Sequence, residues 1–588
     1  MTQSTFNVLK SGHRLFSSGR CQSALQPEYD VVVIGAGHNG LVAAGYLQRC
    51  GLNVCVLERR HVVGGAAVTE EIVPSFKFSR ASYVLSLLRP KIINDLQLKK
   101  FGLKVHLRNP SSFTPLSQKY WKNNTSKSLI LGQDDAFNFQ QISLFSVKDA
   151  KAYELYEKQL QRIVKALDPL LDLSPASVIR LLSEQSLWKR VATLLKDRGI
   201  AHAGISIAKL GAELPTAWQL LMAPIREILD QWFESEPLRA TLATDALIGA
   251  MHDTNAPGGG YVLLHHVMGE LEGKRGAWGY PEGGMGAVTQ ALADSAASHG
   301  AHIFTNQTVE EILLDANGKV TGVLNTDGQE IKASLVLSNA TPKITFLNLL
   351  PNGTLPDEFQ SAVKKIDYTS PVTKINVAIS RLPDFLSDPC AAPGRAMPHH
   401  QATIHLNCED MRLLDEAYDC AKRGTVSDKP MIEMVLPSVL DRTLAPEGAH
   451  VCLLFTQFTP YHVPGGWSEA AKEAYATKVF DCIEEYAPGF KASVVGKEVL
   501  PPPDLERVFG LTGGNIFHGG MSLPQLFLCR PVAAAACQSP YTPVPGLLLC
   551  GAGAHPGGGV MGAPGYLAAQ AARQVLAQAK AATGSRRG

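Results

Sequence analysis

The chain has 588 residues, of which 45% are hydrophobic and 18% charged, the balance of a folded globular protein with room for more than one domain. Its 55 Lys and Arg against 53 Asp and Glu leave a net charge of +2, which excludes the strongly basic balance of a nucleic-acid binder. No apolar run reaches the about 18 residues that span a bilayer, although the pattern is compatible with peripheral contact at a membrane surface.

Residues 1–28 differ from the rest. Lys10, Arg14 and Arg20 are basic, no acid precedes Glu28, and Ser4, Ser11, Ser17, Ser18 and Ser23 enrich the segment in serine. Phe6, Leu9, His13 and Phe16 recur at roughly helical spacing. This composition predicts a mitochondrial presequence, and with it a location in the matrix or at the inner membrane; a plain N-terminal tail is the alternative.

The apolar run Tyr29 to Ile34 then ends in Gly35-Ala36-Gly37-His38-Asn39-Gly40. A helix is expected from Leu41 to Cys50, a second strand from Asn53 to Leu57, and Glu58 closes the unit. Strand, G-x-G-x-x-G, helix and an acid about 20 positions on form a dinucleotide-binding βαβ unit. Gly35 permits the turn, Gly37 lets backbone approach a pyrophosphate, and Gly40 lets helix and strand pack closely. The helix N-terminus offers N–H groups to the phosphates. Glu58 suits a ribose diol and repels a 2′-phosphate, with Arg59 beside it. Gly64 and Gly65 allow a second close approach of backbone to ligand.

From 106 to 150 short strand-like runs alternate with polar turns, and from Asp149 to about Ala250 the spacing is helical. Ala287 to Ser298 reads as a helix, and His302 to Phe304 and Val309 to Leu314 read as strands. Asn317-Gly318 turns into Val320 to Leu324, and Leu335 to Leu337 gives a buried strand. The segments Lys374 to Ile379, Met431 to Leu436 and His450 to Phe455 predict a second sheet. Near the end, Leu547 to Cys550 leads into a glycine-dense loop, Gly551 to Gly562, and a helix expected near Met561 with an Ala-rich tail from Ala568 to Ala579. No second G-x-G-x-x-G occurs, and no strand is expected just before Glu282-Gly283-Gly284-Met285-Gly286. Both points argue against a separate NADPH domain.

The N-terminal glycine blocks, Trp278 to Gly286 and Gly551 to Gly559, taken in that order, resemble the carotenoid/retinoid oxidoreductases, the phytoene-desaturase and carotenoid-isomerase-like FAD enzymes. The resemblance covers about residues 29 to 580. It implies non-covalent FAD in a discontinuous domain: Val309 would meet the adenine through its backbone, and the segment carrying Gly553, Val560 and Met561 would line the flavin. Ala66 departs from the pattern, since many relatives in the wider flavin amine oxidase group carry Arg after the glycine pair.

The expected fold is α/β: a discontinuous Rossmann-like FAD-binding domain (29–105, 278–345, 501–588) with an inserted α+β substrate domain and helical cap (106–277, 346–500). The expected function is FAD-dependent oxidation or reduction of an apolar, polyene or lipid-like substrate by desaturation, saturation or isomerisation of a double bond. Quinone or oxygen would accept the electrons. The alternatives are a flavin amine oxidase and a mitochondrial FAD-binding scaffold with little turnover. His555, in the loop facing the flavin, is the candidate acid or base, unless it only orders the loop. Trp278 and Tyr280 are candidates for an apolar tunnel, and Lys374 and His252 are further candidates. The 11 cysteines form no C-x-x-C pair and no metal cluster, so neither disulfide chemistry nor a metal is expected.

Overall fold

The computed structural model describes residues 24–584 apart from 124, 393 and 535. The expected leader, up to residue 23, lies outside the described residues.

Strand β1 (Glu28–Ile34), helix α1 (His38–Gln48) and strand β2 (Val54–Leu57) form the expected unit. The helix starts three residues earlier than its apolar pattern suggested, directly on the glycine loop. β1 is the centre of a seven-stranded sheet, in which it pairs in parallel with β2 and with Glu330–Ser338. His302–Phe304 adds to β2, and Leu547–Leu549 adds to Glu330–Ser338, both in parallel. Val309–Leu314 and Val320–Asn325 form the antiparallel flank that the Asn-Gly turn predicts. Residues from the beginning, middle and end of the sequence thus build one mostly parallel sheet. Its strands are apolar runs because helices cover the faces: α1, Met285–Ser298 and Ala563–Gly584 pack their alanine-rich sides on it.

The second sheet also has seven strands. Its order is Val494–Leu500, Thr373–Ile379, His450–Gln457, Met431–Val435, Thr403–Leu406, Ser112–Pro115 and Ser128–Leu131. In sequence, the helical stretch from Val147–Leu167 to Glu236–Leu247 follows the strand Ser128–Leu131; its two ends share one core, and Leu173, Ile200 and Ala203 form a separate small cluster. No helix among the described residues is long and apolar enough to cross a membrane.

One local expectation is corrected. A short strand, Gly279–Pro281, does precede the Glu282–Gly286 glycines; it pairs antiparallel with Val105–Leu107. Three residues are too few for a periodic signal, and the partner strand lies far away in sequence.

Candidate functional site

The two glycine loops meet. The Gly64 N–H donates to the Ala36 carbonyl at 2.9 Å, and Gly64 pairs with Gly37 in an isolated parallel bridge. Gly64 has φ +120° and Gly65 φ +58°. A Cβ on Gly64 would lie 2.5 Å from the Ala67 carbonyl oxygen, so only glycine fits there. A Cβ on Gly40 would lie 2.2 Å from the Gly35 oxygen, which makes it the packing glycine. Asn339, just past the strand Glu330–Ser338, holds the loop from the other side: its N–H donates to the Ile34 oxygen at 2.9 Å and its Nδ2 to the Gly35 oxygen at 3.3 Å.

Above these loops opens a cavity of about 400 Å³. Its nucleotide end is lined by Gly35, Gly37, His38, Asn39, Glu58 and Arg59, with Gly64 and Gly65 opposite. The N-cap of α1 is Gly37, with no side-chain cap, so the first-turn N–H groups are left for a ligand. His38 Nε2 and Asn39 Oδ1 are buried there without hydrogen-bond partners. Burial pushes His38 down to about 4, so the ring is neutral. The Glu58 carboxylate accepts the N–H of Ala36 at 2.8 Å and of Arg60 at 2.9 Å, which fixes it beside the loop. The Glu58 N–H bonds the Phe304 oxygen and the Gln307 N–H bonds the Glu58 oxygen, each at 2.8 Å, and this seam brings Thr308 and Val309 into the cavity wall. An uncapped helix end, a cradle that side chains would fill and unpartnered buried polar atoms together fit a dinucleotide.

Not every expected position reaches the lining. Ala36, Gly40, Gly553 and Met561 stand behind it, while Val560, with Gly558, Gly559 and Ala552, is part of it. A Cβ on Gly553 would meet Pro342 Cδ at 2.3 Å, so that glycine serves packing. His555 is also outside the lining. Its Nε2–H donates to the Leu170 carbonyl at 2.8 Å, and burial pushes it down to about 4. The ring therefore ties the glycine loop to the helical layer and is not placed to exchange a proton with a ligand. Trp278 lines the cavity, but Tyr280 is buried behind it with its hydroxyl on the Gln401 carbonyl at 3.1 Å. His252 does not line the cavity and faces the Asp253 carbonyl.

The far end of the cavity is set by the second sheet. His405, Glu433, Phe455 and Lys374 lie in one cross-strand row. Lys374 and Phe455 line the cavity. The Lys374 Nζ donates to Asn376 Oδ1 at 2.7 Å, and burial lowers it to about 7. Tyr83 covers the row, its hydroxyl donating to Glu433 Oε2 at 2.8 Å and its ring 5.6 Å from that of Phe455. Leu87, Ile248, Val372 and Phe517 complete an apolar wall.

Sequence reasoning missed Tyr83, Asn339, His266 and Arg60 as site residues. Arg60 lines the nucleotide end with its Nη1 buried and unpartnered, while its Nη2 pairs with Glu70 at 2.7 Å. Its place just after Glu58 was the available signal. No cysteine among the described residues lines the cavity, and no group of three His, Cys, Asp or Glu among them could hold a metal.

The flavin containing amine oxidoreductase family matches residues 40–575. The chain belongs to that family. It is thus an FAD-dependent oxidoreductase, and the glycine loops and Glu58 described above are the residues that would hold the FAD. Among curated relatives of this flavin amine oxidoreductase, pyridine nucleotide-disulfide oxidoreductase domain-containing protein 2 of Rattus norvegicus is 58% identical over 93% of both chains. The lycopene-forming phytoene desaturase of Pseudescherichia vulneris is 24% identical over 90% of this chain and 96% of its own. Among solved structures, cyclohexylamine oxidase from Brevibacterium oxydans IH-35A shares the fold with a TM-score of 0.53 and 14% identity, covering 94% of this chain and 100% of that one.

Proposed function

We propose that the protein acts on an apolar, polyene or lipid-like substrate in mitochondria, desaturating, saturating or isomerising a double bond and passing electrons to a quinone or oxygen. FAD, when bound, supplies the electron transfer. The protein's part is to hold the substrate dry against it. The observation that carries this reading is the wall of Leu87, Ile248, Val372, Phe455 and Phe517 beyond the Gly558–Val560 loop. Glu58, at the nucleotide end, is the one carboxylate in the lining among the described residues. An ammonium substrate at the far end would find no counter-ion in that wall, which favours an uncharged chain over an amine. The mitochondrial part of the proposal rests on the basic, serine-rich leader.

The reading is tested in two arms: polyene or unsaturated lipid substrates or amines are added without air to the protein with oxidised FAD, and unsaturated lipids, quinones or oxygen are added to a photoreduced sample. Reoxidation by a quinone or oxygen, with a mass change of two hydrogens or a shifted double bond in the lipid, is expected. Turnover of amines alone would replace this reading with amine oxidation. A flavin that no substrate reduces and no acceptor reoxidises would favour a scaffold. A reporter fused to the leader should enter the matrix, and one left in the cytosol would remove the mitochondrial assignment.

A further inference from the structure

The large apolar side chains that stay open to solvent concentrate away from the cavity, between Leu182 and Met222. Trp188 at 82%, Leu195 at 76% and Leu187 at 71% are the most exposed of them among the described residues. All three lie on the ten-residue helix Leu187–Lys196. Leu187, Val191 and Leu195 recur every four residues and Trp188 stands beside them, so the four share one stripe about 100° wide. A helix of a folded domain normally turns such a stripe to the core. This helix is instead held by Leu194, at one edge of the stripe, which packs on the cluster of Leu173, Ile200 and Ala203. The rest of the stripe faces out. Leu182, at the end of the preceding helix Pro175–Ser183, is exposed as well. Single exposed apolar residues are ordinary; a whole helical stripe with a tryptophan in it marks a surface that something covers.

The charges around the stripe point to what covers it. From 175 to 222 the exposed charged side chains among those described are Arg180, Lys189, Arg190, Arg198 and Lys209, all basic. The acids of the same stretch are half-buried and engaged. Asp197 caps the helix Arg198–Ala208 by accepting the Gly199 N–H at 3.1 Å, Glu213 pairs with Arg162 at 3.0 Å, and Glu184 accepts the Ser186 N–H at 3.3 Å. A two-fold contact between copies sets a face against itself and would bring these cations together. A surface of anionic lipid headgroups would neutralise them. Tryptophan suits the boundary between headgroups and acyl chains, and the stems of lysine and arginine can run along apolar surface while their charges reach outward. Ten residues are too few to span a bilayer, so such a helix lies in the plane of the membrane surface.

We propose that the helix Leu187–Lys196 docks the protein on an anionic lipid bilayer, with Leu187, Trp188, Val191 and Leu195 among the upper acyl chains and Lys189 and Arg190, one on each side of the stripe, against lipid phosphates. None of these residues lines the cavity. The docking surface therefore stands apart from the reading of the substrate and does not rest on it.

The test sediments the FAD-loaded full chain with vesicles of phosphatidylcholine, with and without phosphatidylglycerol. Three proteins are compared: the natural chain, Leu187→Ser with Trp188→Ser and Leu195→Ser, and Lys189→Glu with Arg190→Glu. The basic leader is common to all three, so differences among them read the helix. The natural chain should bind the anionic vesicles at least about tenfold tighter than the neutral ones, since each basic residue near an anionic surface contributes about 1 kcal/mol. The serine variant should lose at least about tenfold in affinity for the anionic vesicles, and the glutamate variant should lose the anionic preference, both with unchanged FAD content. A natural chain that binds neither vesicle, or variants that bind the anionic vesicles as tightly as it does, would overturn the assignment. So would a natural chain that is dimeric without lipid by sedimentation velocity while the serine variant is monomeric, because the stripe would then be an interface between copies. If the serine variant does not take up FAD, the glutamate variant decides alone.

Discussion

Lys374 and Glu433 occupy one row of the second sheet with Phe455 between them, and Tyr83 bridges the pair. The Tyr83 hydroxyl donates to Glu433 at 2.8 Å, while its ring centroid lies 5.4 Å from the Lys374 Nζ. A base held below its ordinary range and an acid held above it therefore share one wall, and burial is the leading cause of both shifts.

The two residues should tilt stability with pH in opposite directions. Lys374 falls from 10.5 to about 7 in the folded chain, so between those values the unfolded chain binds a proton that the folded one lacks, and stability is lost as pH drops through the window. Glu433 rises from 4.5 to about 8, so the folded chain holds the extra proton, and stability is lost as pH rises through that window. Relative to the natural chain, the Tm of Lys374→Met should climb as pH is lowered across its window, and that of Glu433→Gln as pH is raised across its own. Thermal melts over the pH range check both slopes, and pH-independent differences would count against burial as the cause.

Gly37 is the next test. A Cβ there would lie 2.7 Å from Asn339 Nδ2, the side chain that holds the loop, and Gly37 itself lines the cavity. Gly37→Val should abolish FAD retention, read from the ratio of flavin to protein absorbance. Glu58→Ala should weaken FAD without abolishing it, since a hydrogen bond to a charged group contributes about 1.5–3 kcal/mol. Full FAD content in Gly37→Val would show that the loop does not hold the cofactor.

Cysteine should not take part in turnover. Cys50 is exposed, Cys55 is buried in β2, and burial pushes Cys55 up to about 12, which leaves it an unreactive thiol. Cys50→Ser with Cys55→Ala should leave the flavin reduction potential and any activity unchanged. Lost turnover with intact folding and FAD content would bring thiol–disulfide exchange back into consideration.

The nucleotide end was legible in the sequence because its signals are local. An apolar run, three glycines and Glu58 lie within one supersecondary unit, and each residue type has a steric or electrostatic reason for its place. The same locality made the hairpin at Asn317-Gly318 and the strand at Leu547 readable. The far end was not legible, because Tyr83, His266, Lys374 and Glu433 come from separate elements and meet only through the register of the second sheet and the segments packed against it. Lys374 was singled out from its strand, but nothing local showed that it is buried against a cavity. His555 shows the converse limit: its loop borders the site, while the direction of its ring depends on Leu170 in a distant helical segment.

The cofactor assignment is tested most directly on the purified full chain. The protein should be yellow, and heat should release one flavin, identified as FAD by chromatography and mass, with NAD binding far weaker. A colourless protein that cannot be reconstituted with FAD, or one that binds NAD in preference, would contradict the account.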